Sequence, residues 1–291
     1  MSLLFHSAVA PSRRRLSNRD LGHYRVPDIR PPEQLLSNLV VIKITGKICD
    51  PTNLSNLAKD VKALTERGMK VIIVHGAGRQ IDSALAIAGI KTEKKDGVRI
   101  TPKEAIPVIA KTMKDINMEI GAAIRNEQIP TVCVDNISRS LISATRKDGY
   151  GEVGEPESVD TRAITTVLRR SDVLVLSCLG RTGQDHLNVN ADDAALAVAI
   201  SLKAKKLIVL SDVPGVLAAD SSVVRSIDQS SAHVLLSNGT ITGGMVVKVN
   251  AMLEAAQSVG EVILASGNSS SVLAVLQGTA TCTKFKATSA S

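Results

Sequence analysis

From residue 39 to residue 266 the sequence alternates short, β-branched apolar runs with longer segments of helical rhythm. The runs are LVVIKI (39–44), VIIVH (71–75), PTVCV (130–134), DVLVLSCLG (172–180), LIVLS (207–211) and VILAS (262–266). Helical patterns follow or separate them: 53–68, 79–89, about 102–126, 159–171, part of 186–204, and 244–258. Strand and helix in turn means βαβ units, hence a parallel sheet covered by helices on its faces. Asn53 or Ser55 is the expected cap of the first helix and Gly68 its stop, while TPKEA (101–105) opens the third in capping-box fashion. The polar, glycine-bearing stretch 136–157 reads as hairpin or loop, and 262–266 as the closing strand. Two lobes on one continuous sheet, 39–180 and 181–291, follow an N-terminal arm, 1–38.

Such a sheet needs an aliphatic core, and the composition supplies one. Phe5, Tyr24, Tyr150 and Phe285 are the four aromatics, so Val, Ile, Leu and Ala must fill the interior. The net charge of +7 is partly local, because residues 1–38 hold six arginines against Asp20, Asp28 and Glu33. A nucleic-acid site would want a clustered basic face with stacking aromatics, and neither is visible. Cys49, Cys133, Cys178 and Cys282 are widely spaced, which suggests neither zinc nor a disulfide framework and fits a reducing compartment. No apolar run approaches the ~18 to 20 residues that span a bilayer, so no membrane role is expected. Residues 1–30 are rich in Arg and Ser, as organelle transit peptides are, but Asp20, Asp28 and two prolines interrupt an amphipathic helix. A cytoplasmic protein with a disordered or partner-binding arm is expected, and an organellar one is the alternative if residues 1–30 are a transit peptide.

Chemistry-bearing residues gather at the ends of the apolar runs. VIIVHGAGRQID (71–82) carries a strand into Gly76-Ala77-Gly78 and then a helix start. A turn that bare lets backbone N–H groups approach an anion at a helix N-terminus. Taken alone, such a motif is more often an ordinary βα turn, and the dinucleotide fingerprint is not met, since Ile81 stands at the third glycine. Lys43 ends an apolar strand just before Thr45-Gly46-Lys47, where its ammonium can face a phosphate. Asn188, Asn190 and Asp192, with Asp193, precede an alanine-rich helix and exceed what one N-cap requires. Ser211 and Asp212 lead a strand into a Pro-Gly turn, where ligands of open α/β sheets lie. Gly243 and Gly244 open a helix with Lys248 one turn in, pointing back toward the helix mouth. Arg99, after an Asp-Gly turn, is a fork suited to a carboxylate.

Taken in order, the lysine strand, HGAG, DGVRIT, EVGEPESVD, LNVNADDAA, LSDVPGVL and ITGGMVVKVNA resemble the amino acid kinase family, and within it the branch acting on N-acetyl-L-glutamate. The resemblance runs from about residue 39 to 280. It implies a three-layer αβα sandwich with a mainly parallel open central sheet. It also implies phosphoryl transfer from ATP to the side-chain carboxylate of N-acetyl-L-glutamate, a step of arginine biosynthesis. Carried over by motif, Lys43 and Lys248 are the catalytic cations and Asp192 holds them. Gly46, Gly76, Ala77 and Gly78 grip the phosphoryl group and the acid through backbone N–H groups, and Arg99 and Asn188 bind the acid. Nucleotide contacts fall on Ser211, Asp212, Val213, Pro214, Gly215, Val216, Leu217, Thr240, Ile241, Thr242 and Gly244. Mg²⁺ enters with ATP, without a dedicated protein cage, and a homodimer is the implied assembly. The family's arginine inhibition rests on an extra N-terminal helix, and the short, proline-led PPEQLLSN (31–38) gives no ground for expecting it.

Two positions depart from the family's glycines. Thr45 would be strained by ~1 to 3 kcal/mol if its backbone needed positive φ, and Ala77 limits close approach. Lys47 adds charge nearby, and CVDNISRSLISATRKDG lacks the expected glycines. A kinase for a related acid such as N-acetylaminoadipate, or a non-catalytic regulatory paralogue, are the alternatives.

Overall fold

The computed structural model describes residues 28, 30–46, 50–95, 97–267 and 271–287. In chain order the elements are α1 (Pro32–Leu36), β1 (Leu39–Ile44), α2 (Pro51–Glu66), β2 (Lys70–His75), α3 (Gly78–Ile87), β3 (Lys94–Lys95), β4 (Val98–Arg99), α4 (Ala105–Asn126) and β5 (Thr131–Val134). There follow β6 (Ile142–Arg146), β7 (Val153–Val159), α5 (Thr161–Leu168), β8 (Val173–Ser177), β9 (Leu179–Thr182), β10 (Asp185–Val189) and α6 (Ala191–Ser201). The last are β11 (Lys206–Ser211), β12 (Ser226–Ile227), α7 (Gln229–Ser237), α8 (Gly244–Ala256), β13 (Val262–Ser266), α9 (Val272–Gln277) and β14 (Cys282–Phe285).

The central sheet runs β12-β14-β13-β11-β1-β2-β8-β5, parallel from β13 to β5, with β14 antiparallel to β13. Every side chain of β1, β2 and β8 is buried, because helices cover both faces. Right-handed crossovers fix which helix covers which face. The chain moves one way from β1 through α2 to β2, and the other way from β8 through α6 to β11 and through α8 to β13. So α2 packs on β2 and α4, while α6 packs on β1, β2 and β11 and touches α8. The order reverses between β1 and β11, and the helices that follow these two neighbours lie on opposite faces. A crevice opens at their carboxyl ends, where Lys43 pairs in register with Val209.

The expected layers and mainly parallel sheet are present, as is the hairpin in 136–157, now β6 and β7. Several local expectations are corrected. Asp50 caps α2, accepting from the N–H groups of Thr52 and Asn53 at 3.0 Å each, with Pro51 at the first helical position. Asn53 and Ser55 lie inside the helix. α4 starts at Ala105, and Glu104 makes no side-chain capping bond, so there is no capping box. β13 does not close the sheet: α9 and the antiparallel β14 follow it. Nor is the sheet the only one, since β10, β7, β6 and β9 form a separate closed four-stranded unit. The end of the arm is part of the packed body, because Leu35 is fully buried and Arg169 Nη1 donates to the carbonyls of Asp28 and Arg30 at 2.7 and 2.8 Å. Residues 1–27, with the transit-peptide reading, and Lys47 lie outside the described residues. No helix among the described residues is long and apolar enough to cross a membrane.

One buried acid ties the last helix to the first half of the chain. Asp60 of α2 accepts from the N–H of Val272 at 2.6 Å and of Leu273 at 3.4 Å, and burial pushes its carboxyl above the usual range. Asp60→Ala leaves two helix-start donors without their acceptor and is expected to cost about 2 kcal/mol, read as a lower unfolding midpoint in denaturant. Asp60→Asn, which keeps one acceptor oxygen, should lose less; equal midpoints for all three proteins would contradict this role.

Candidate active site

Lys43, Thr45, Gly46, Gly76, Ala77, Gly78, Arg99, Asn188 and Asp192 line one cavity of about 280 Å³ at the switch point. Its centre is an ion triplet. Lys43 Nζ lies 2.7 Å from Asp192 Oδ1, and Lys248 Nζ lies 2.7 Å from Oδ2 of the same carboxylate. Three elements deliver these charges: the end of β1, the first turn of α6 and the second turn of α8. Asn190 caps α6 by accepting from the Asp192 N–H at 2.7 Å, which fixes where that carboxylate projects. Burial alone would raise the Asp192 carboxyl, but the two ammonium groups outweigh it and hold it below the usual range. In Asp193, burial and the Asp192 charge push the carboxyl up. An ammonium has three donors; Lys248 gives one to Asp192 Oδ2, and Lys43 meets Oδ1 as an ion pair.

Facing the triplet are two glycine turns. α3 begins after Ala77 with no side-chain cap, so its opening N–H groups are not capped by a protein oxygen of that kind. A Cβ on Gly78 would meet nothing within 4 Å, so this glycine leaves open space beside the cavity. A Cβ on Gly76 would sit 3.2 Å from the Ala191 Cβ, so there the glycine lets α6 come close. The Gly46 loop is tied to this turn twice: Gly76 N–H donates to the Ile44 carbonyl at 3.2 Å, and Gln80 Nε2 to the Gly46 carbonyl at 2.6 Å. Thr45 is not among the positive-φ residues, and Ala77 has φ −142°. The strain anticipated at Thr45 is therefore absent, and Ala77 needs no glycine-only backbone.

Arg99 is 8% exposed, a burial that an unpaired guanidinium would not tolerate. It lies 2.5 Å from Asp82 Oδ1, donates to Thr92 Oγ1 at 3.0 Å and reaches the Gly78 carbonyl at 3.3 Å. Burial would raise Asp82, but Arg99 and Lys94 together hold it low. Asn188 donates to Thr101 Oγ1 at 3.1 Å, and Thr101 is bridged to Gly151, where a Cβ would lie 2.3 Å from the Thr101 carbonyl. Met113, Ile81 and Cys178 give the cavity an apolar side. Burial pushes the Cys178 thiol up to about 12, so it is wall and not nucleophile.

The nucleotide candidates are placed at the next strand end. Ser211 ends β11 two residues beyond the partner of Lys43, and Asp212 to Leu217 turn outward from it. A Cβ on Gly215 would be 2.6 Å from Thr283 Oγ1, which itself accepts from the Val216 N–H at 2.8 Å. Val216 and Ile241 have core side chains, and their backbone N–H groups donate to Thr283 Oγ1 and to the Leu235 carbonyl, so neither presents that donor to a ligand. Thr240, Thr242 and Gly244 stand around the start of α8, whose N-cap Gly243 has φ 56°. Gln80, Asp82, Thr101 and the pair His75 and Asn117 were not anticipated. Each acts through a partner distant in sequence, and of the five only Asn117 lies outside the motifs.

His75 is fully buried at the end of β2, and its Nε2 accepts from Asn117 Nδ2 at 3.1 Å. Burial lowers its pKa from 6.5 to about 4. Between these values the unfolded chain holds a proton that the folded chain does not, so stability should rise with pH across that window. The gain is about 3 kcal/mol at most, and is complete near neutrality. Denaturant midpoints from pH 4.5 to 7 should climb less steeply in His75→Leu than in the wild type; parallel curves would contradict the assignment.

Over residues 38–266 the chain matches the amino acid kinase family. It is 36% identical over 221 residues to the acetylglutamate kinase of Colwellia psychrerythraea, covering 75% of this chain and 84% of that one. With the acetylglutamate kinase of Aliivibrio fischeri the identity is 35% over 244 residues, covering 81% and 93%. Among solved structures, N-acetylglutamate synthase from Neisseria gonorrhoeae, complexed with coenzyme A and N-acetyl-glutamate, superposes with a TM-score of 0.76 at 21% identity. That superposition covers 89% of this chain and 62% of the synthase, so this chain spans less than two thirds of it. Carbamate kinase from Giardia lamblia bound to AMP-PNP gives a TM-score of 0.65 at 19% identity, covering 86% and 99%. At these identities the structural likeness speaks for the fold.

Proposed function

The chain belongs to the amino acid kinase family, and on that premise we propose that it transfers the γ-phosphoryl group of ATP to the side-chain carboxylate of N-acetyl-L-glutamate, a step of arginine biosynthesis. The observation that carries this reading is the Lys43–Asp192–Lys248 triplet set opposite two bare turns. Phosphoryl transfer asks a protein for positioning and charge, with little covalent work. A carboxylate oxygen of the acid attacks the γ-phosphorus while the bond to the ADP oxygen breaks. The acid is already ionised at neutral pH, so no general base is needed.

In this reading the acid occupies the 280 Å³ cavity, with Arg99 toward its α-carboxylate and Asn188 beside it. Backbone N–H groups of Gly46, Ala77 and Gly78 take the phosphoryl oxygens, while that of Gly76 is held by the Ile44 carbonyl. Lys43 approaches from one side and Lys248 from the nucleotide side, and Asp192 keeps them from diverging. ATP lies along Ser211–Leu217 and Thr240–Gly244. Among the described residues no group of three or more His, Cys, Asp or Glu could hold a metal ion. Both oxygens of Asp192 are engaged by lysines, so the Mg²⁺ of MgATP is assigned to the phosphates. A homodimer completes the proposal.

An acyl phosphate reacts with hydroxylamine, which makes the product directly readable. Purified protein with MgATP and hydroxylamine should form hydroxamate from N-acetyl-L-glutamate about 10- to 200-fold faster, by kcat/KM, than from N-acetyl-L-aminoadipate, one methylene longer. The reverse order would move the assignment to the longer acid.

A further inference from the structure

The residue before the anion turn has no role in the transfer just described, yet it is among the least accessible polar groups of the molecule. His75 is 0% exposed, and in the sheet it pairs in register with Ile44 of β1 and Ser177 of β8. Its Nε2 accepts from Asn117, so the ring proton is assigned to Nδ1, whose contact with the Gly76 backbone falls short of good hydrogen-bond geometry. A buried donor without a partner is destabilising, and a core selected for stability alone would hold an aliphatic side chain here.

Asn117 is as unusual. It is 1% exposed, in the middle of α4, and its amide nitrogen lies 3.1 Å from His75 Nε2, 3.3 Å from the Val134 carbonyl and 3.3 Å from the Val175 carbonyl. One side chain thus ties α4 to β2, β8 and β5 just below their carboxyl ends. Four residues earlier on the same face of α4 is Met113, which lines the cavity. One residue after His75 is Gly76, whose N–H is tied to the first strand.

Resting on the kinase reading above, we propose that His75 and Asn117 are positioning residues: their hydrogen bond sets the height of the Gly76-Ala77-Gly78 turn and of Met113 against the reacting groups. Neither touches substrate. The pair acts through the turn's N–H groups and through the apolar side of the cavity.

Replacing both partners by apolar groups removes the bond without stranding either, so His75→Leu/Asn117→Leu is expected to keep its unfolding midpoint close to the wild-type value. Its kcat should nevertheless fall about 10- to 100-fold, with KM for N-acetyl-L-glutamate within about twofold. Amide hydrogen exchange of the 76–78 segment, which needs no turnover, should quicken in the same variant. The matched pair His75→Gln and His75→Asn is a milder test. Glutamine presents its amide near the place of Nε2 and asparagine near that of Nδ1, so only His75→Gln should retain kcat. An unchanged kcat in the double leucine variant, or equal kcat for the glutamine and asparagine variants, would overturn the proposal. Absence of acid-dependent ADP release in the wild type would instead count against the kinase reading, and the exchange data would still report on the turn.

Discussion

Lys43→Ala and Lys248→Ala are each expected to lower kcat by about 10²- to 10³-fold, with KM for acid and nucleotide changed severalfold at most. Charge on the migrating group is spread over its oxygens only during transfer, so these cations do most in the transition state. Both ammonium groups are held 2.7 Å from one carboxylate, which spares them reorganisation at the moment of reaction. Asp192→Asn should lose a comparable factor, because the neutral amide no longer attracts either lysine. Since Asp192 acts through the lysines, Lys43→Ala/Asp192→Asn should fall well short of the product of the single effects. Strictly multiplicative losses would mean that Asp192 has its own contact with the reacting atoms.

Arg99→Ala should act on the other parameter, raising KM for N-acetyl-L-glutamate about 100-fold while kcat stays within about tenfold. Two consequences of the substitution add. The acid loses a guanidinium, and Asp82, 2.5 Å from it, loses its principal partner at the mouth of the site. Arg99→Lys should recover little, because one ammonium cannot serve Asp82, Thr92, the Gly78 carbonyl and a substrate carboxylate together. An Arg99→Ala enzyme with unchanged KM would place the acid elsewhere in the cavity.

How much of this was written locally can be judged residue by residue. Lys43 was legible because a cation in an all-apolar strand must end at an edge or a partner, and Lys248 because it stands one turn after a glycine pair. Asp192 was legible as surplus over what a cap needs. Their meeting at one carboxylate was implied only by resemblance, since residues 43, 192 and 248 are joined by no local pattern. Gln80 on Gly46, Asp82 on Arg99 and Asn117 under three strand ends are likewise long-range pairings that periodicity does not encode. The Asp50 cap did carry a signal, proline at the first helical position, but Asn53 and Ser55 competed for the same role. β14 escaped because CTKF is short and alternates with a lysine, and it pairs antiparallel at the sheet's edge, beyond the βαβ rhythm. Thr45 and Ala77 are the converse case. They break the family's glycine pattern, but neither occupies a left-handed backbone, so the pattern was stricter than the geometry requires.

The most direct measurement is ADP release from MgATP by the purified protein, with and without N-acetyl-L-glutamate, beside Lys43→Ala. Release that requires the acid and is lost in the variant is the predicted result. No acid-dependent release, with a melting temperature still raised by N-acetyl-L-glutamate or ATP, would contradict it and leave a fold that binds ligand without turning it over.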